Sequence, residues 1–139
     1  MPAAHRPLAF GPASWPVSEA ILGGQLVMAA TGPDLGAVKV ATAGATTVLG
    51  AALTDADVAD PDTLDRAHPA PDVAVAYAPT EVVLTFSADC APGVLLVAAT
   101  LGKVTPYVTA THTPDQIVAR CTEPGGAVTG GTGRCRMMI

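Results

Sequence analysis

The chain contains no asparagine, only two Phe, two Tyr and one Trp, and seven Lys and Arg against twelve Asp and Glu. Each scarcity removes a class of function. A net charge of −5 without a Lys/Arg cluster excludes nucleic acid as a partner, because phosphate recognition needs several cationic contacts. The nearest thing to a basic run, Arg134-Cys135-Arg136, is short and reads as a solvated strand end. Few aromatics argue against a carbohydrate-binding module, which normally exposes several rings for stacking on sugars. Long apolar runs are missing as well. The most apolar stretch, Gly93 to Leu101, is far short of a bilayer span. The first seventeen residues carry Pro2, Pro7, Pro12 and Pro16 where a signal peptide needs an apolar segment. The expectation is a soluble protein made in a cytoplasm, with no membrane partner.

Reactive centres are equally scarce. His5, His68 and His112 all fall in proline- or threonine-rich loops, none in metal-ligand spacing. Ser18 and Ser87 lack a nucleophile elbow, and Glu19, Glu81 and Glu123 are scattered. The acidic stretch Thr54 to Asp72 invites a calcium reading. Counted from Asp55, however, position six is Asp60 where such a loop needs glycine, and position twelve is Arg66 where it needs glutamate. A solvated loop is the better reading. The glycine-rich run Pro124 to Gly133 lacks the lysine and following helix of a phosphate loop, so it reads as a connector. Cys90, Cys121 and Cys135 contain no CxxC and are odd in number. A Cys121–Cys135 bridge is conceivable if their strands are neighbours, and buried reduced thiols are the better expectation. No catalytic residue, metal site or cofactor is expected, and the chain reads as a non-enzyme.

What is present is repetition. Gly24-Gln25-Leu26-Val27-Met28-Ala29-Ala30-Thr31 returns as Gly93-Val94-Leu95-Leu96-Val97-Ala98-Ala99-Thr100. Leu35-Gly36-Ala37-Val38 then returns as Leu101-Gly102-Lys103-Val104, and Val48–Ala52 as Ile117–Cys121. Short Val/Thr/Ile-rich runs bounded by Gly, Pro and Asp are strand signals, and a fixed internal repeat is an architectural one. The expected fold is all-β: a compact β-barrel or β-sandwich built from two related strand-turn-strand units. The duplicated regions span approximately 18–57 and 87–125 within one β domain, 18–139, since each copy alone has little apolar area to bury. Val82, Leu84 and Phe86 should share one face of a strand, with Val83 and Thr85 on the other. Ala78-Pro79-Thr80 reads as a hairpin or a sharp strand corner. Residues 1–17 read as an extended proline-rich arm, with Arg6, Phe10 and Trp15 as candidate contacts to a shell or a neighbouring subunit.

The pattern Gly24-Gln25-Leu26-Val27, Gly36-Ala37-Val38 and Leu49-Gly50-Ala51-Ala52-Leu53 resembles the small head-decoration or capsid-fibre proteins of tailed bacteriophages. A weaker match runs through Pro92–Leu96 and Gly102–Val104, and the likeness covers roughly residues 18 to 122. Gln25 stands where that family usually has aspartate. The resemblance implies a structural virion protein on the capsid exterior, made in the host cytoplasm. It would bridge major capsid subunits and associate with its own copies as a trimer or dimer on local symmetry axes. A major capsid subunit itself is excluded on length. The competing expectation is a carbohydrate- or host-surface-binding β module.

Overall fold

The computed structural model describes residues 12–58 and 70–139. Ten strands form two five-stranded antiparallel sheets, and the only helical turns among the described residues are three short 3-10 segments. The first sheet holds β1 (Ala13–Pro16), β2 (Leu26–Ala29), β3 (Val38–Val40), β4 (Val48–Ala52) and β5 (Asp72–Ala76), in the order β1-β5-β4-β2-β3. The second holds β6 (Glu81–Thr85), β7 (Leu95–Ala98), β8 (Val104–Pro106), β9 (Ile117–Cys121) and β10 (Thr132–Met137), in the order β6-β10-β9-β7-β8. The two orders are the same once five is subtracted from each strand number, so each repeat builds its own sheet.

The correspondence is residue by residue. In β2 pairing with β4, Val27 faces Gly50 and Met28 faces Val48, leaving Leu49 as a bulge. In β7 pairing with β9, Leu96 faces Ala119 and Val97 faces Ile117, leaving Val118 in the same place. Both sheets also curl until their ends touch. Val17 bridges Val38 and Phe86 bridges Val104, and Ser18 and Ser87 each send a hydroxyl to the same carbonyl, Val38 O and Val104 O, at 3.3 Å. A one-residue bridge draws the edges together without closing a barrel.

The repeat starts earlier than Ser18. Ala13–Pro16, the last residues of the stretch read as an arm, form β1 and pair with β5, as β6 pairs with β10. A proline is tolerated there because β1 is an edge strand, where one side of the backbone needs no ladder partner. The candidate contacts Arg6 and Phe10 lie outside the described residues.

Strand burial explains the run-like sequence of the first repeat. In β2, Val27 points into the curl while Leu26 points out of it, and both are fully buried. A strand covered on both faces needs a continuous apolar run. By contrast β10 alternates strictly, with Gly133, Cys135 and Met137 buried and Thr132, Arg134 and Arg136 exposed. One of its faces is solvated. Along β6 and into the bridge residue after it, Val82, Leu84 and Phe86 are buried and Val83 is exposed, as the alternation predicts. Ala78-Pro79-Thr80 is the corner that carries the chain from β5 in one sheet to β6 in the other, not a hairpin.

Two apolar clusters result. One fills the curl of the first sheet with Val17, Ile21, Val27, Val38, Ala52, Ala56, Val73 and Val75. The larger one fills the curl of the second sheet and continues into the seam between the repeats, where Leu26, Ala41, Ala45, Val48, Ala51 and Ala76 join it. Burial of a Leu or Val side chain contributes about 1.5–3 kcal/mol, so many small contacts stand in for large aromatic anchors.

Candidate binding surface

Among the described residues the interior is apolar apart from the buried hydroxyl of half-buried Thr122. Every buried side chain among the described residues is apolar or a cysteine, and no three His, Cys, Asp or Glu side chains come together in an arrangement able to hold a metal. His112 serves its own loop: its Nδ1 accepts the Val108 N–H at 3.0 Å, and its ring tilts against Tyr107. His5 and His68 lie outside the described residues. From the acidic stretch, Asp55 accepts the Gly23 N–H at 2.7 Å and Asp57 that of Val58 at 2.7 Å, so both act as loop ties. Asp60 and Arg66 lie outside the described residues. Asp89 accepts the backbone N–H and the hydroxyl of Thr129, and these bonds hold its carboxyl below the usual value.

The three cysteines gather in the curl of the second sheet. Cys121 and Cys135 face each other across β9 and β10, and all three thiols are free and buried. Burial, reinforced by Cys121, pushes the Cys90 thiol up to about 11. Burial, with Cys121, Cys90 and Glu123 nearby, pushes Cys135 up to about 12. Thiols held this firmly in the neutral form behave as small hydrophobes.

The surface is where the chain has something to offer. Two concavities lie along the seam between the repeats. One, of about 290 Å³, is lined by Gly23, Gly24, Ala52, Leu53, Val82, Val83, Thr85 and Thr132. The other, of about 370 Å³, is lined by Glu19, Ala20, Gln25, Val40, Ala41, Thr42 and Leu101. Both are shallow, and neither brings together an acid, a base and a nucleophile. Leu53 and Leu101, which line them, are exposed, and further single apolar side chains, Leu22, Leu35, Leu49 and Val128, are exposed elsewhere on the surface. Trp15 faces Val73 across β1 and β5 and is 40% exposed, whereas Leu84, at the same place in the second repeat, is fully buried. The only tryptophan therefore sits on an edge strand with much of its surface open.

No family model matches the chain, and no curated protein sequence matches it. Among solved structures, it is similar to the N base of the head fiber gp8.5 in bacteriophage phi29, with a TM-score of 0.65 and 14% identity, over 91% of this chain and 92% of that one. The shared property is the fold, an all-β arrangement of two five-stranded antiparallel sheets, over about nine-tenths of each chain.

Proposed function

We propose that the chain is a structural, non-enzymatic virion protein that binds the outer surface of an assembled tailed-phage capsid and stabilises it by bridging major capsid subunits. The observation that carries this reading is the shared fold with a head-fibre base, which extends over nearly the whole of both chains. The surface agrees with it. A rigid β unit with scattered exposed leucines and an open edge-strand tryptophan suits attachment to protein surfaces, where aromatic anchors contribute most of the binding energy. Arg6 and Phe10 would join Trp15 in that contact. Copies would associate with one another as a trimer or dimer, so that each attachment strengthens the next through effective concentration. Synthesis would take place in the host cytoplasm before attachment to the head. The carbohydrate-binding alternative is weakened by the placement of the rings, because beside Trp15 the described aromatics are Phe86, which is fully buried, and Tyr77 and Tyr107, which are half-buried.

The test is sedimentation of the purified full chain with assembled, undecorated tailed-phage heads. Co-pelleting that saturates at a fixed ratio of copies to capsid subunits is expected. Trp15→Ala should lower the affinity at least tenfold while leaving the circular-dichroism spectrum unchanged. Protein that stays in the supernatant at every concentration would remove the reading.

A further inference from the structure

All three cysteines of the chain belong to the second repeat and line its curl. The first repeat shows what volume alone asks for at these places. There Ile21, Ala52 and Val75 stand for Cys90, Cys121 and Cys135, and Ala52 faces Val75 in the register in which Cys121 faces Cys135. Packing therefore accounts for small apolar side chains at these positions. It does not account for two thiols set directly opposite each other.

The ladder between β9 and β10 sets how near those thiols come. Thr122 N–H donates to Arg134 O and Met138 N–H to Val118 O, both at 2.9 Å, so Thr122/Arg134 and Val118/Met138 are hydrogen-bonded pairs. Cys121 and Cys135 fall on the alternate, non-hydrogen-bonded kind of pair. There, opposed Cα atoms approach to about 4.5 Å and both side chains leave the same face. A disulfide spans Cα atoms about 4.4–6.8 Å apart, so bridging needs side-chain rotation and no backbone movement. In the reduced chain the Cys135 thiol instead points along its own strand and donates to Gly133 O at 3.6 Å. The segment between the two cysteines carries Gly125, Gly126, Gly130, Gly131 and Gly133, the residue type that loses most freedom on folding. A cross-link at its base would remove much of that freedom from the unfolded chain.

We propose that Cys121 and Cys135 are a modification site: a small-molecule disulfide such as oxidised glutathione converts them to a cross-strand bridge, and Cys90 stays a free thiol. The site stands on the fold alone. Only its occasion, passage from a reducing cytoplasm to an oxidising medium, rests on the virion reading above. One protein thiolate attacks the glutathione disulfide and releases one glutathione thiol. The second then attacks the protein sulfur of the mixed disulfide and releases the other. Two electrons pass from the cysteines to glutathione, and the two thiol protons end on the two released molecules. Inside the closed fold the thiols are neutral and inert, so exchange waits for the glycine-rich loop to open. That loop is tied down by the paired bonds of Cys90 with Ala127, at 2.8 and 2.9 Å, and by Asp89 on Thr129.

The test uses the full chain without heads, so its failure is distinct from failure to bind a shell. The chain is brought into oxidised glutathione both as the folded reduced protein and by refolding from urea, so that access does not limit the result. Free thiols per denatured chain should fall from three to one by either route. Trypsin cuts after Arg120, Arg134 and Arg136, so residues 121–134 should be recovered joined to the dipeptide Cys135-Arg136, with Cys90 alkylated. The melting temperature should rise by roughly 5–10 °C over the reduced chain and return with dithiothreitol. Cys90→Ala should keep that rise and Cys135→Ala should abolish it. Three free thiols after both routes, a bridge through Cys90, glutathione adducts without a bridge, or a bridge that leaves the melting temperature unchanged would each overturn the proposal.

Discussion

The first repeat fills its curl with Val17, Ile21, Ala52, Val73 and Val75, where the second places Phe86, Cys90, Cys121, Gly133 and Cys135. The swaps compensate one another. Val17 becomes the larger Phe86, and Val73 becomes Gly133, whose absent side chain leaves room for the ring: a Cβ at Gly133 would lie 3.2 Å from Phe86 Cε2. Ile21 and Val75 become cysteines of smaller volume. At these positions one curl relies mainly on Val and Ile, and the other on one large ring beside glycine and cysteines. Equal backbones tolerate both because a core constrains total volume more tightly than the identity of each residue.

This comparison gives its sharpest test at Phe86 and Gly133. Gly133→Val, which restores the first repeat's residue, should destabilise the protein by about 2–3 kcal/mol through overpacking. Phe86→Val should cost about 3 kcal/mol by leaving a cavity. Together they should cost at least about 1.5 kcal/mol less than the sum, measured by urea unfolding. Strict additivity would show that the two positions do not trade volume.

The turn glycines follow. Gly36 and Gly102 both have positive φ, 99° and 68°, but only Gly102 lies against the other repeat. Gly36→Ala should cost about 1 kcal/mol of backbone strain. Gly102→Ala should cost about 2–4 kcal/mol, because its Cβ would also collide with Leu26 and Gln25. Equal losses at the two positions in thermal unfolding would contradict a seam that packs against Gly102 and not Gly36.

The cysteines separate the repeats by pH. Cys90 and Cys135 titrate higher in the folded chain than when unfolded, so above an unfolded value near 9.0 the unfolded chain binds fewer protons than the folded one. Stability is therefore complete below about pH 9 and falls as pH rises from there towards 11–12. Cys90→Ala with Cys135→Val should flatten the melting temperature over that range. A profile unchanged by the pair would show that the thiols do not carry the effect.

The smallest expected effect concerns Thr122. Its hydroxyl is buried without a partner, so Thr122→Val should raise stability by about 0.5–1 kcal/mol in the same unfolding assay. A loss of stability would reveal a bond to that hydroxyl.

Much of this architecture was legible in the amino-acid order. The repeated Gly24–Thr31 and Gly93–Thr100 blocks located β2 and β7, and the Val48 and Ile117 runs located β4 and β9. The alternation in Val82, Leu84 and Phe86 gave the buried face of β6. The start of the repeat was hidden because Trp15-Pro16 does not look like Leu84-Thr85, although both pairs end equivalent strands. The seam was not foreseen, since periodicity reports which residues are buried and not what covers them. A signal for it did exist: Ala51 and Ala76 against Arg120 and Arg136 mark which repeat has its outer face covered. Of the candidate contacts, Trp15 is placed on an open edge strand, while Arg6 and Phe10 fall outside the described residues.

The central claim is attachment to a capsid exterior, and the most direct measurement is a cryo-EM reconstruction of heads assembled with and without this chain. The account predicts added density on the outer surface, spanning adjacent capsid subunits and fitted by paired five-stranded sheets. Identical reconstructions with and without the chain, or density confined to the capsid interior, would contradict it.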